Sequence, residues 1–514
     1  MRTGVGRCAA FTLLAVVAST ATGPRAGAQE RTGVAPQIPE AAQAPHATIA
    51  PPTQLLPVPN ELLRVNPGGL TSVEVGRRAA ATSYSAKANQ EVLRGAAARV
   101  DEAWAGFLPR LIGTASYTRL SNFTPPSIAA GSLVGTEAPV GLIPSGTPLF
   151  STGSLTFPLV LNNYLLQASI SVPISDYFLR LNQNYSAATH SEDAARYDVA
   201  SARAISAADG RATYYSWLRA RGAIVVAVQA LNDQRDHLKL AQNQFEVGQA
   251  SKADVLRAET NEAAAELQVE RSKNLADLTE KQVRIAMHTD EPGALLPGES
   301  LEAPVAPVLG NLKELTDEAL ASRLEIKSID ANAASARQQA RAARAQRYPV
   351  ITGVGDVIEG NPNTRVFPLT PTWFPTWDLG ARLTWSPNDV LLANGNVTDL
   401  ASRAAQLEAQ KGILRDNVMI EVQQYWQNVR EADIAMESTT RELASAEEAY
   451  RVARELFNNG RGTSTTLSDA ETDLTRARLD LLNARADART ARVRLEHALG
   501  RDVRDAQAAA TGAP

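Results

Sequence analysis

Side chains able to do chemistry are plentiful in this chain but do not converge. The five histidines, His46, His190, His237, His288 and His497, are dispersed. None is spaced i,i+4 with another and no H-E-x-x-H occurs, so the signature of a catalytic zinc site is missing. They read as solvated helix or linker histidines. Gly353-Val354-Gly355 is a lone G-x-G inside a strand-like segment, and neither a G-x-x-x-x-G-K-[ST] phosphate loop nor a G-x-S-x-G nucleophile elbow is present. The 55 acidic residues face 51 basic ones. On helices this charged, carboxylates serve as solvated groups or i,i+4 partners. A net charge of −4 and a pI near 5.9 provide no basic field for nucleic acid. The reading is therefore no enzyme, no cofactor and no metal, and the elements of the chain carry the information.

The first of these is a leader. Arg2 and Arg7 precede an apolar run, Ala9 to Ala18, too short to span a bilayer, and Ala26-Gly27-Ala28 has the A-x-A form of a cleavage site. Residues 1–28 are expected to be a secretory signal peptide, with an earlier cut near Ala21 as the alternative. Cys8, the only cysteine, precedes the apolar run and is not placed to accept lipid. No later stretch of eighteen apolar residues follows, so a membrane role requires β-strands. Residues 29–60, with seven prolines among Ala and Gln, read as an extended linker.

The remainder is duplicated. A helical, Ala-rich segment from about Pro67 to Ala105 stops at Pro109, and the same break recurs at Pro349, 240 residues on. At an offset of 212, Phe245, Gly248, Ala258, Glu259 and Thr260 fall on Phe457, Gly460, Ala470, Glu471 and Thr472. From about Tyr177 to Val247 and from about Leu391 to Asn459 there is no proline, which allows helices of roughly 100 Å. Gly248 and Gly460 sit where left-handed caps would end them. Ser251 with Asp254 forms a capping box for the next helix, and Thr463 with Thr466 a weaker one. Leu467, Leu474, Leu481, Ala488 and Leu495 are spaced by sevens beside Ala470, Ala477, Ala484, Ala491 and Ala498, which is a coiled-coil seam. The first half keeps that register through Val255, Val269, Ala276 and Val283, with Glu262 interrupting it.

Four segments read as strands, at about 110–120, 165–173, 350–359 and 376–386. In the last, Trp377, Leu379, Ala381, Leu383 and Trp385 alternate with Asp378, Gly380, Arg382, Thr384 and Ser386, the pattern of a barrel strand with lipid on one side and water on the other. Leu166, Ala168, Ile170 and Val172 alternate likewise, as do Leu111, Gly113, Ala115 and Tyr117, with Ile112 out of pattern. The segment at 350–359 is ambiguous by face. Four strands cannot close a membrane barrel, which takes about eight or more, so several chains would have to share one. A soluble four-stranded sheet packed on helices is the competing reading.

The duplicated order, the breaks at Pro109 and Pro349, and the tips Phe245 to Val255 and Phe457 to Thr463 resemble, over roughly residues 60 to 500, the TolC-type outer-membrane efflux proteins. The resemblance implies a mainly α chain with a four-stranded membrane β-sheet, duplicated long helical hairpins forming a coiled-coil tunnel, and a homotrimer closing a twelve-stranded β-barrel. It implies a passive outer-membrane channel for efflux or type I secretion, embedded in outer-membrane lipid with a long periplasmic extension. Its partners would be a periplasmic adaptor and an inner-membrane pump. Adaptor docking would fall on Gly248, Gln249, Ala250 and Ser251 with Gly460, Arg461, Gly462 and Thr463, positions that helix capping also explains. Some family members close the periplasmic entrance with an Asp-x-x-Asp ring; here those positions are Thr466 and Asp469, so one acid of the pair is kept. Trp377, Leu379, Leu383 and Trp385 would face lipid. The expected organisation is a signal peptide at 1–28, a linker at 29–60, a first repeat at 61–288, a linker at 289–310, a second repeat at 311–500 and a flexible tail at 501–514. The rival function is a soluble periplasmic coiled-coil adaptor or structural protein.

Overall fold

A computed structural model describes residues 59–122, 133–135, 149–151, 159–367 and 369–502. The expected signal peptide with its cleavage site, nearly all of the 29–60 linker, most of the loop from Asn122 to Asn163, Pro368 and the tail beyond 502 lie outside the described residues.

The first repeat comprises α1 (Ser72–Thr82), α2 (Tyr84–Ala105), β1 (Arg110–Arg119), a short pair β2 (Leu133–Gly135) and β3 (Leu149–Ser151), β4 (Asn162–Val172), α3 (Asn182–Glu246) and α4 (Lys252–Met287). The second comprises α5 (Leu312–Ser322), α6 (Leu324–Ala345), β5 (Val350–Asn361), β6 (Phe374–Thr384), α7 (Pro387–Asn458) and α8 (Ser464–Ala498). From α1 through β1 the offset between repeats is 240, as in Arg110 to Val350; from β4 onward it is 212, as in Asn162 to Phe374. The change falls entirely in the connection between the paired strands, which is longer in the first repeat.

The single helix expected before each strand pair is two helices. Ser83 adopts an extended conformation (φ −51°, ψ 125°) and its hydroxyl caps α2 by accepting the Ala86 amide at 3.2 Å. Arg323 takes the same conformation (φ −57°, ψ 125°) at the equivalent point of the second repeat without a side-chain cap. Its guanidinium is held instead by Glu325 and Glu421.

The long helices form as their uninterrupted sequence requires. α3 has 65 residues and α7 has 72, so each spans about 100 Å. α3 packs along α4 and along α8, and α7 packs along α8. The heptad positions Leu467, Leu474, Leu481, Ala488 and Leu495 are all buried, as are Val255, Val269, Ala276 and Val283. Small residues allow close approach: a Cβ on Gly222 of α3 would stand 2.5 Å from a Leu482 methyl of α8. Glu262, the interruption in the first seam, pairs with Arg235 across the hairpin at 3.0 Å with both side chains largely buried.

The segment at 289–310 is bound to the helices. Leu70 bridges Pro297, and the Glu299 carboxylate accepts from the Ser72 amide at 2.6 Å and from the Tyr215 hydroxyl at 3.1 Å. Leu301 joins Tyr214, Trp217 and Leu218 in the main core cluster. This strap fastens the middle of α3 to α1.

The four main strands form one antiparallel sheet in the order β1-β4-β5-β6, with β1 and β6 at its edges. All four join helices at the same end of the sheet. Among the described residues no helix is long and apolar enough to cross a membrane.

Candidate functional site

Two regions carry the functional signals, the sheet and the hairpin tips. Strand pairing puts opposed residues on the same face. Leu111 opposes Ile170, Gly113 opposes Ala168, and Ala115 opposes Leu166. Ile170 in turn opposes Gly355, and Ala168 opposes Val357. Across β5 and β6, Val357 opposes Trp377, Gly355 opposes Leu379 and Ile351 opposes Leu383. The apolar sets of all four strands therefore lie on one face. This register assigns the ambiguous segment: Ile351, Gly353, Gly355, Val357 and the charged Glu359 belong to the apolar face, and Val354, Asp356 and Ile358 to the other. Trp377, Leu379 and Leu383 are 75%, 80% and 65% exposed, and Trp385 is exposed just past β6. Tyr117, Tyr164 and Trp373 cluster at the opposite end of the sheet, with ring centroids 4.9 and 5.9 Å apart. The apolar face thus has aromatics at both ends.

The second face is polar. Asp356 stands opposite Asp378, a like-charge juxtaposition that destabilises a sheet unless it is compensated. Gln167 donates to Asp356 at 2.8 Å, Ser169 also bonds it, and Arg365 pairs with Asp378. Ile112 falls on this face, opposite Ser169, which is why it departs from the alternation.

At the other extreme of the long helices, the two tips are built alike. Gly248 and Gly460 have φ of 76° and 68°, a conformation that only glycine adopts without strain. The Gln244 carbonyl accepts from the Gln249 and Ala250 amides at 2.8 and 3.2 Å; the Leu456 carbonyl, 212 residues on, accepts from Arg461 and Gly462 at 2.9 and 3.0 Å. Ser251 and Asp254 form the full capping box, and the Ser251 hydroxyl and amide hold the Asp254 carboxyl below its ordinary value. Thr463 caps α8 through the Thr466 amide at 3.1 Å without the reciprocal bond. Gly248, Gln249, Ser251, Gly460, Arg461 and Thr463 are exposed, whereas Ala250 and Gly462 are half-buried. Thr466 is taken up in the cap. Asp469 lies exposed on the first turns of α8.

Just behind the tips, one of the dispersed histidines is not solvated. His237 of α3 is 2% exposed. Its Nδ1 lies 2.9 Å from Glu471 Oε2 on α8, and its Nε2 lies 3.1 Å from the Ser464 hydroxyl at the start of that helix. Its ring meets Phe457 of α7 edge-on at 5.6 Å. His497 is likewise partnered, by Asp502 at 2.7 Å. His237 and Glu471 are 234 positions apart, so no local spacing signals that pair, whereas His497 and Asp502 are only five apart. Among the described residues no cluster of His, Cys, Asp and Glu could hold a metal ion.

The comparisons agree with this geometry. The model of the family described as outer membrane efflux protein matches residues 77–287 and 315–501, the two repeats. Among solved structures, the outer-membrane channel OprN is 16% identical with a TM-score of 0.67, covering 85% of this chain and 94% of its own. The outer membrane protein VceC from Vibrio cholerae is 17% identical with a TM-score of 0.64, covering 84% and 96%. The open state of the Neisseria gonorrhoeae MtrE outer membrane channel is 16% identical with a TM-score of 0.66, covering 84% and 88%. No curated protein matches. With both repeats matched, the chain belongs to the outer membrane efflux protein family, an outer-membrane channel rather than an enzyme.

Proposed function

We propose that three copies of this chain form the outer-membrane exit duct of a tripartite efflux or type I secretion system, conducting passively from an inner-membrane pump to the exterior. The observation that carries this is the sheet: an apolar face shared by four strands and interrupted by Glu359 beside Leu166, aromatics at both ends, and two unpaired edges. Open edges do not persist in hydrocarbon, where each unsatisfied backbone group costs several kcal/mol. β1 leaves the helices and β6 returns to them, so β1 of one copy meets β6 of the next antiparallel. Three copies supply twelve strands. Trp377, Leu379, Leu383 and Trp385 then face lipid, and Asp356 and Asp378 line the water-filled interior.

The helices continue the barrel as a periplasmic tunnel, and the paired tips dock the adaptor through Gln249, Ala250 and Ser251 with Arg461, Gly462 and Thr463, on turns set by Gly248 and Gly460. Three copies of Asp469 make an electronegative constriction at the entrance, with Thr466 in place of a second acid. Planar-bilayer recording of the purified protein tests the proposal. Uniform current steps without any nucleotide are expected; absence of conductance from correctly assembled protein would overturn it.

A further inference from the structure

The contact between the two hairpins behind the tips is made by a buried titratable pair. Both the His237 and Glu471 side chains are 1% exposed, and they join α3 of the first hairpin to α8 of the second. Gln234 of α3 donates to the same carboxylate oxygen at 3.1 Å, while Glu471 Oε1 is buried without a hydrogen-bond partner among the described residues. A cleft of about 180 Å³, lined by Asp236, Lys239, Tyr450 and Arg454, reaches the pair from the surface and gives protons a path.

We propose that His237 and Glu471 are a proton-operated latch between the two hairpins: one proton shared across the pair holds α3 against α8, and its loss lets them part. With that proton the site is net neutral; without it a carboxylate stays buried with no countercharge, the arrangement that burial penalises most. Of the surrounding charges, nearby Asp233 also raises the Glu471 carboxyl, though less than burial itself does. On α3, Asp233 is paired with Arg478 of α8 at 3.1 Å and Asp236 with Arg454 of α7 at 3.4 Å, and Lys239 is exposed. Tyr450 of α7 is held protonated, its hydroxyl pushed up to about 12 by burial. On α4, Asp254 is engaged in the Ser251 cap. Burial also raises the Glu471 carboxyl above its ordinary value, with the His237 bond partly opposing. A raised acid stabilises the closed contact fully below the ordinary glutamate value of 4.5, and that contribution is lost as pH rises through the closed-state value. The latch therefore loosens toward alkaline pH.

That the latch governs an entrance rests on the channel reading; the latch itself does not. The test uses the full-length protein with Cys8→Ser and spin labels at Lys239→Cys and Thr472→Cys, both exposed sites. Between about pH 5 and about pH 9 the α3–α8 distance is expected to shift to longer values and broaden. Glu471→Gln, neutral at every pH, is expected to keep the short distance throughout, and Asp236→Asn to keep the wild-type profile. An invariant wild-type distance, a Glu471→Gln profile that tracks wild type, or a profile abolished by Asp236→Asn would each overturn the latch. Bilayer conductance separates the two readings. A pH-dependent distance with no current at any pH refutes the channel and supports the latch; current with an invariant distance refutes the latch alone.

Discussion

Placing an arginine on each face of the sheet tests the membrane assignment quantitatively. Leu379 lies in the middle of β6, is 80% exposed and opposes Gly355 on the apolar face. Thr114 lies in the middle of β1 and opposes Gln167 on the polar face. An arginine facing lipid near the bilayer midplane costs about 2–4 kcal/mol. By the same account, Leu379→Arg lowers the folding equilibrium by roughly 30- to 700-fold per chain, at a factor of ten per 1.4 kcal/mol. If three chains unfold together, the total is about 6–12 kcal/mol per trimer. Thr114→Arg, facing water inside the barrel, is expected to change stability by less than about 1 kcal/mol. Guanidinium unfolding of vesicle-reconstituted protein, followed by tryptophan fluorescence, measures both. Equal penalties, or a larger one for Thr114→Arg, would refute the face assignment and with it the lipid contact of this sheet.

Asp469→Ala is expected to weaken cation block and alter single-channel conductance; unchanged values would leave Asp469 a solvated helix residue. Leu474, 1% exposed in the seam of α8, should lose about 2–5 kcal/mol on Leu474→Ala, read as a drop in melting temperature beside the exposed control Thr472→Ala. Ser251→Ala removes the capping box and should cost about 0.5–2 kcal/mol at neutral pH. Because Asp254 is held below its ordinary value of 3.8, its share of that stability is present above 3.8 and lost as the pH falls through the folded value. The penalty of Ser251→Ala, measured by thermal melts across acid pH, should shrink accordingly.

Periodicity made the helices, the seam and three of the four strand faces readable, because a heptad and a two-residue alternation are local facts. The face of β5 was not local: Gly353 and Gly355 contribute no side-chain signal, and only pairing with β4 and β6 assigns it. The breaks at Ser83 and Arg323 were missed since neither proline nor glycine marks them; Ser83 had a cap signal, whereas Arg323 is held by Glu325 two residues on and by Glu421 on α7. His237 was misread as solvated because its partner, Glu471, lies on the other hairpin. The segment at 289–310 was expected as a linker between the repeats, and Glu299 and Leu301 find buried partners on α1 and α3. At the tips the glycines and Ser251 were legible as caps, while recognition by an adaptor leaves no mark that capping does not also explain.

The central claim is a shared barrel continued by a tunnel, and electron microscopy of protein extracted from outer-membrane fractions in mild detergent tests it most directly. The account predicts a threefold particle whose tube is longer than about 100 Å, the span that the helix rise gives α3 and α7. A monomer or dimer recovered from the soluble periplasmic fraction would contradict it.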